Sequence, residues 1–325
     1  SLDGAMSIPV KTIGSHQSTP VLEATLTSAA GVSVSIISYG AIVRDWTVPV
    51  NGRARSVVLG FENFESYLRD PVHKGALVGR VANRIGGSRF SINGKIYHVP
   101  ANVGSDHLHG GPLGLSKKNW QLSTDETTNS IILKNHSPDG EMGYPGVADF
   151  TAVYRLEDHR LSLQMEARVS ELTPISMVQH HYFNLLGEGP IYAHRLQIDA
   201  AEYTVLSEAL IPTGEIRAVK GSYFDFQTPR PMLDKNEGPQ FYDINYVLNS
   251  YRDKKNPAAI LQAPDGSLTL KLWTDRPGLQ LYNGQEIGVC LEDQMLPDAL
   301  NHPQFPSILV SPENPYRHFC ETEIK

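Results

Sequence analysis

Phe90-Ser91-Ile92-Asn93-Gly94-Lys95-Ile96-Tyr97-His98-Val99 places two short alternating runs on either side of an Asn-Gly pair. Asn-Gly supplies the two positive-φ residues that a tight two-residue hairpin turn needs, and its turn matches the twist of the flanking strands. The same reading extends outward along the chain. Asp265-Gly266 separates Ala259-Ile260-Leu261 from Leu268 to Trp273, and Asp149 to Val169 reads as two alternating runs around Glu157-Asp158-His159. Val32 to Val48 is rich in Val, Ile and aromatic residues and is broken at Tyr39-Gly40. No stretch of about 12 residues keeps a helical period, and only Phe64 to Leu68 reads as a short helix. Many short strands, with 27 Gly and 22 Pro at turns, predict an all-β chain folded as a large antiparallel β-sandwich with few short helices. No linker-like segment and no fixed-period repeat divides it, so residues 7–325 are expected to form a single domain. Ser1-Leu2-Asp3-Gly4-Ala5-Met6 has no signal-peptide pattern and reads as a tag remnant ahead of a native Met6.

Composition narrows the function. With 325 residues and 40% hydrophobic content the chain has ample material for a core, and its formal charge of −7 argues against nucleic acid as a partner, since phosphate binding needs a basic face. Cys290 and Cys320 are the two cysteines. They read as free buried thiols, which fits a cytoplasmic protein. No apolar run approaches the ~18 residues that would span a bilayer. Asn135-His136-Ser137 matches a glycosylation sequon, here taken as chance without a signal peptide.

The chemistry-bearing residues are scattered. Asn83-Arg84 comes first, then His107-Leu108-His109-Gly110-Gly111, then His180-His181 leading into Tyr182-Phe183-Asn184-Leu185, and finally Glu292 within Leu-Glu-Asp-Gln. One carboxylate, two histidine sites and one arginine suit proton transfer on a polar, uncharged ligand such as a sugar. No phosphate-cradling loop and no cysteine or aspartate cluster accompanies them, so no cofactor and no metal is expected. Each residue also has a plainer reading. A Glu beside Asp293 is commonly a solvated face, a histidine ahead of an apolar run is commonly a hydrogen-bonded core residue, and Arg84 by itself is a surface ion-pair former.

The order of these blocks resembles the aldose 1-epimerase (galactose mutarotase) family over nearly the full length. The blocks that carry the resemblance are Gly79-Arg80-Val81-Ala82-Asn83-Arg84-Ile85, Leu108-His109-Gly110-Gly111 with Trp120, and Asp139-Gly140-Glu141 through Gly146. They continue with His180 through Leu185, Pro212-Thr213-Gly214-Glu215, Phe224-Asp225-Phe226, Tyr242-Asp243, Pro277-Gly278-Leu279-Gln280, and Leu291 through Gln294 with Pro297-Asp298-Ala299. The resemblance implies the galactose mutarotase-like supersandwich and interconversion of the α and β anomers of a free aldose such as galactose or glucose. It implies Glu292 as general base and His180 as general acid, with Asn83, Arg84, His109, Asp243 and Gln280 holding a monosaccharide. Tyr282 or Trp120 could cover a sugar face, Trp120 serving equally well in the core. The expected partner is the sugar alone, with neither nucleic acid nor membrane, in a monomer or homodimer.

Two departures stand out. His181 occupies a position where the family usually has a small residue and is expected to tune sugar preference, reaching the sugar only if its strand is bulged or bends at the cleft, since adjacent side chains on a strand face opposite ways. Ser311-Pro312-Glu313-Asn314-Pro315-Tyr316 lacks the usual glycine after proline, read as a local turn change. Three other readings compete. His107 and His109, two apart on a strand, could chelate a metal. The scaffold could bind carbohydrate without catalysis. A hexose-6-phosphate 1-epimerase would need added cations, for which Lys117-Lys118 is the candidate pair. For the favoured reading, near-reference pKa values of Glu292 and His180 predict a bell-shaped pH profile with a broad top around neutrality.

Overall fold

The computed structural model describes residues 7–250 and 255–325; Ser1 to Met6, read above as a tag remnant, lie outside the described residues. Antiparallel sheets dominate, and the family resemblance's all-β expectation is met: about 48% of the chain is strand and 5% helix. The helix expected near residue 64 is a single turn, Phe64–Tyr67, with Phe64 and Tyr67 buried.

The Asn-Gly hairpin forms as read. Asn93 (φ 50°) and Gly94 (φ 81°) both take positive φ, and Arg89–Ile92 pairs with Lys95–His98 in the register Ile92↔Lys95. Phe90 and Tyr97 face each other across it, their ring centroids 5.5 Å apart. The Val32–Val48 run divides where Tyr39-Gly40 predicted. Strands Ser33–Ile37 and Ile42–Val50 flank the break, and at Gly40 (φ +67°) a Cβ would lie 2.7 Å from the Ser116 carbonyl oxygen. Only glycine fits that approach.

Three sheets matter for the site. Residues 10–56 form a five-stranded meander, and a nine-stranded sheet carries the long hairpin Ala148–Glu157/Arg160–Val169 at its centre. Alternate residues of that hairpin are buried, the period-2 signature of a sheet with one face on a core. A second five-stranded sheet runs in the order Pro212–Ala218, Glu202–Leu206, Asp243–Val247, Gly278–Tyr282, Cys290–Gln294. One apolar cluster joins all three, with Val34 and Trp46 from the meander, Phe150 and Met165 from the large sheet, and Tyr246, Leu281 and Leu291 from the third.

Arg80 ties the Asn83-Arg84 segment to this frame. It is 3% exposed, and its guanidinium donates to the carbonyls of Ser137, Pro138, Pro145 and Gly146 and to Ser137 Oγ. A buried charge is tolerable only when its donors are satisfied in this way. Asn135 of the sequon is likewise buried, within the strand Ser130–Ser137. Among the described residues no helix is long and apolar enough to cross a membrane.

Candidate active site

Strand register explains how the polar residues meet. Gln280 lies directly opposite both Asn245 and Glu292, and Asp243 lies opposite Tyr282. Cross-strand partners share a face, as do residues two apart, so Asp243, Asn245, Gln280, Glu292 and Gln294 emerge on one side of the sheet. The neighbouring Asp293 must then point to the other side. There it accepts from Thr274 Oγ1 at 2.7 Å and pairs with the buried His318 ring. That imidazole and the Thr274 hydroxyl hold the Asp293 carboxyl down at about 2 despite its burial. The solvated-face reading of Glu292-Asp293 therefore fails at both residues, which are 2% and 0% exposed.

The cleft over this face has a volume of about 230 Å³ and is lined by Asn83, Arg84, His109, His180, Asp243, Gln280 and Glu292, together with Tyr182, Tyr282 and His73. All seven residues singled out in the sequence thus converge. The volume lies below the ~300–1,000 Å³ of drug-sized pockets and suits a single small ligand. A wider surface groove of about 740 Å³ around Lys117, Lys134 and His136 has no such convergence of buried titratable groups.

Asn83, in the left-handed region (φ 62°), turns the chain so that its amide donates to Gln280 Oε1 at 3.1 Å. Gln280 in turn donates to Asp243 Oδ1 at 2.7 Å, and Gln294 donates to Gln280 Oε1 at 3.1 Å. Both ends of the Gln280 amide are committed, so it orients Asp243. Asp243 opens to solvent at the cleft but is walled by protein elsewhere; the walls raise its carboxyl, against lowering by Gln280 and Arg84.

His109 is oriented from behind. The Asn83 backbone N–H donates to its Nδ1 at 2.9 Å, and burial holds the ring neutral. A neutral imidazole whose Nδ1 accepts must carry its proton on Nε2, so His109 presents a donor. His180 is fixed by its ring neighbours, with Tyr182 stacked at 5.1 Å and His73 at 6.0 Å. Its Nδ1 lies 3.4 Å from Cys290 Sγ and its Nε2 3.5 Å from Glu292 Oε1. That oxygen is buried without a hydrogen-bond partner. Burial, with His73 adjacent, lowers His180 to about 3. Burial, with Asp243 and Asp293 nearby, raises Glu292 well above the ordinary carboxylate value. The expectation of near-reference values for both is corrected: neither residue has the water that a normal value requires.

The expectation for His181 is corrected, and the competing readings of the other residues are decided. His181 is directed into the core, edge-on to Trp46 and Phe183 at 6.2 and 5.7 Å, because adjacent residues on extended backbone face opposite ways. It does not line the cleft, so a direct role in sugar preference is lost. The His107/His109 chelate does not form. The strand is only His107–Leu108, His109 turns at φ 51°, and His107 spends both nitrogens on Pro100 O and Tyr144 Oη. Ligand atoms of His109, His180 and Glu292 do lie within 4.8 Å of one another. His109, however, would have to shed its Nε2 proton to bind, which leaves two ligands where a zinc site needs three or four. Lys118 is paired with Glu141 at 2.7 Å and Lys117 donates to Asp70 O; among the described residues, Arg84 is the Lys or Arg that lines the cleft. Trp120 is buried and donates to Leu115 O, in the core and not over a sugar.

Sequence reading did not name His73, Tyr182 or Cys290 as site residues. The signal near His73 was the turn-forming Asp70-Pro71: Asp70 accepts from the backbone N–H of Val72 at 3.0 Å and of Lys74 at 2.8 Å. That pattern marks a turn and says nothing of where His73 points.

Comparison with known proteins agrees with this geometry. The family model described as aldose 1-epimerase matches residues 23–323. The chain is 38% identical to the galactose mutarotase of Mus musculus over 308 residues, 88% of this chain and 89% of that one. It is 33% identical to the aldose 1-epimerase of Escherichia coli (strain K12) over 306 residues, 87% and 88% of the two chains. The crystal structure of a galactose 1-epimerase from Lactobacillus acidophilus NCFM superposes with a TM-score of 0.87 at 26% identity, covering 99% of each chain. A match that runs through every strand carrying the cleft residues places this chain in the aldose 1-epimerase family.

Proposed function

We propose that this chain is an isomerase that interconverts the α and β anomers of a free aldose such as galactose or glucose, with Glu292 and His180 as its proton-transfer pair. The observation that carries this reading is the 3.5 Å approach of His180 Nε2 to the unpartnered Glu292 Oε1 in a monosaccharide-sized cleft. Both groups can reach one sugar ring. The names of the relatives, galactose mutarotase and aldose 1-epimerase, agree with the sugar class.

In ring opening, Glu292 takes the C1 hydroxyl proton, His180 gives a proton to the ring oxygen, and the C1–O5 bond breaks to leave an open-chain aldehyde. Rotation about C1–C2 exposes the other carbonyl face. Reclosure returns both protons, so the pair ends as it began. The His109 Nε2–H donates to a sugar oxygen, Arg84 donates to another, and Asp243, held by Gln280 and through it by Asn83, accepts from hydroxyls.

The working pair holds one proton. Burial favours the neutral form, with the proton on Glu292, and the ion pair lies one short transfer away. The two forms have the same proton count and titrate together. Activity falls when a second proton reaches His180, near its value of about 3, or when the last proton leaves the raised Glu292. The limbs are therefore exchanged relative to the near-reference expectation. In the folded protein His180 is expected to show no inflection near the free imidazole value of about 6.5. A pH series of the His180 ring resonances by NMR checks this, and a clear step there would mean that His180 titrates as an exposed histidine.

The direct test is polarimetry of freshly dissolved α-galactose, α-glucose and α-xylose. Enzyme-dependent acceleration to the same final rotation is expected for at least one. No acceleration for any sugar would overturn the proposal.

A further inference from the structure

His73 is a third histidine of the cleft, and the proton-transfer scheme does not use it. Its backbone sits in the left-handed region (φ 57°), held by the two Asp70 bonds to Val72 and Lys74. The ring is pinned by Nδ1, 2.9 Å from Ser116 Oγ. It stacks on His180, interplanar angle 25°, and meets His109 edge-on at 5.1 Å. The His180 ring is thereby sandwiched between His73 and Tyr182. His73 lines the cleft, and among the described residues its Nε2 has no protein partner. A turn that presents a fixed imidazole nitrogen to the cleft, beside two rings that handle sugar oxygens, is built for a polar ligand atom.

We propose that His73 is a sugar-binding residue: its Nε2 hydrogen-bonds one hydroxyl of the bound aldose while its ring holds His180 in place. A hydroxyl both donates and accepts, so either tautomer that the Ser116 contact selects serves. This inference rests on the aldose reading above and deepens it by adding a specificity contact.

His73→Phe keeps the stacking ring and removes both nitrogens. His73→Asn tolerates left-handed backbone, can keep a bond to Ser116, and does not reach the Nε2 position. Each variant is compared with wild type in mutarotation of galactose and of its 2-, 3-, 4- and 6-deoxy analogues. For galactose, His73→Phe should lower kcat/KM roughly five- to tenfold, the scale of one uncharged hydrogen bond, through KM with kcat nearly unchanged. His73→Asn should lose at least as much and also lose kcat, because the stack is gone. One deoxy analogue, lacking the hydroxyl that His73 holds, should be insensitive to His73→Phe. The inference is overturned if His73→Phe matches wild type on galactose, or if its loss is equal on every deoxy sugar, since a purely structural role would not single out one hydroxyl. If His73→Phe does not fold, the same insensitivity of one analogue's KM is required of His73→Asn. A wild-type enzyme that accelerates none of the sugars would instead sink the aldose reading.

Discussion

Glu292→Gln is expected to lower turnover by roughly 10²–10⁴, the usual contribution of a positioned general base, while leaving the fold intact. The substitution conserves shape and removes the group assigned to take the C1 hydroxyl proton. It should not destabilise the protein. The carboxyl is 2% exposed with Oε1 unpartnered, and burial has already raised its pKa, so a neutral amide replaces a group that the fold already favours in its neutral form. The expected signature is thus a large kinetic loss with an unchanged or higher melting temperature. Sugar binding measured by calorimetry should persist, weakened by roughly 0.5–1.5 kcal/mol for one altered hydrogen bond to a neutral group. His180→Asn should show a comparable kinetic loss. A Glu292→Gln protein that interconverts anomers at near wild-type rate would end the assignment of the base.

Mild acid is expected to unfold this protein steeply. His73, His181 and His194 are lowered to about 4 and His180 to about 3, and His107 and His109 are lowered as well, each chiefly by burial. In the unfolded chain all six titrate near 6.5. Between the folded and unfolded values the unfolded state binds more protons, so stability rises with pH and is lost as pH falls below about 6.5. Each fully shifted histidine contributes about 1.4 kcal/mol per pH unit. The four lowered to about 3 or 4, acting over two units, alone reach the order of 10 kcal/mol, comparable with the ~5–15 kcal/mol that holds a typical protein folded. Asp293, depressed to about 2, adds to the loss: its stabilisation is present above the unfolded value near 3.9 and disappears as pH falls toward 2. Glu292 and Asp243, both raised on folding, act in the opposite sense and recover stability as they protonate, but they are two groups against six. Melting temperature followed by circular dichroism should be nearly level above about pH 7 and drop sharply between about 6.5 and 4.5. A level profile through that interval would show that the histidines are not held neutral.

Local chemistry made much of the fold legible. Asn93-Gly94 sets its turn through two positive-φ residues that few other pairs supply. The alternation in Ala148–Glu157 and Arg160–Val169 encodes a sheet with one face on the core, whatever it packs against. The one-turn helix at Phe64–Tyr67 was equally readable from the lack of any longer helical period. At the site, the family-like order of Asn83, Arg84, His109, His180, Asp243, Gln280 and Glu292 named the residues that the cleft assembles.

What sequence reading got wrong shares one cause. His181 and His180 are neighbours of the same residue type, and only the backbone's alternation, once the strand is docked, sends one to the cleft and the other against Trp46 and Phe183. His107 and His109 are two apart, and the left-handed turn at His109 undoes the shared face that spacing suggested. His73 comes from a turn with no motif of its own and matters because folding lays it on His180. The protonation of Glu292 and His180 depends on water excluded by segments more than a hundred residues apart, and no local pattern records that exclusion. This sequence by itself determined the hairpins, the turns and the kinds of group available for proton transfer, because those follow from short-range sterics and residue chemistry. Only the tertiary structure decided which side chains face the cleft and which proton each one holds, because facing and desolvation are properties of packed surfaces.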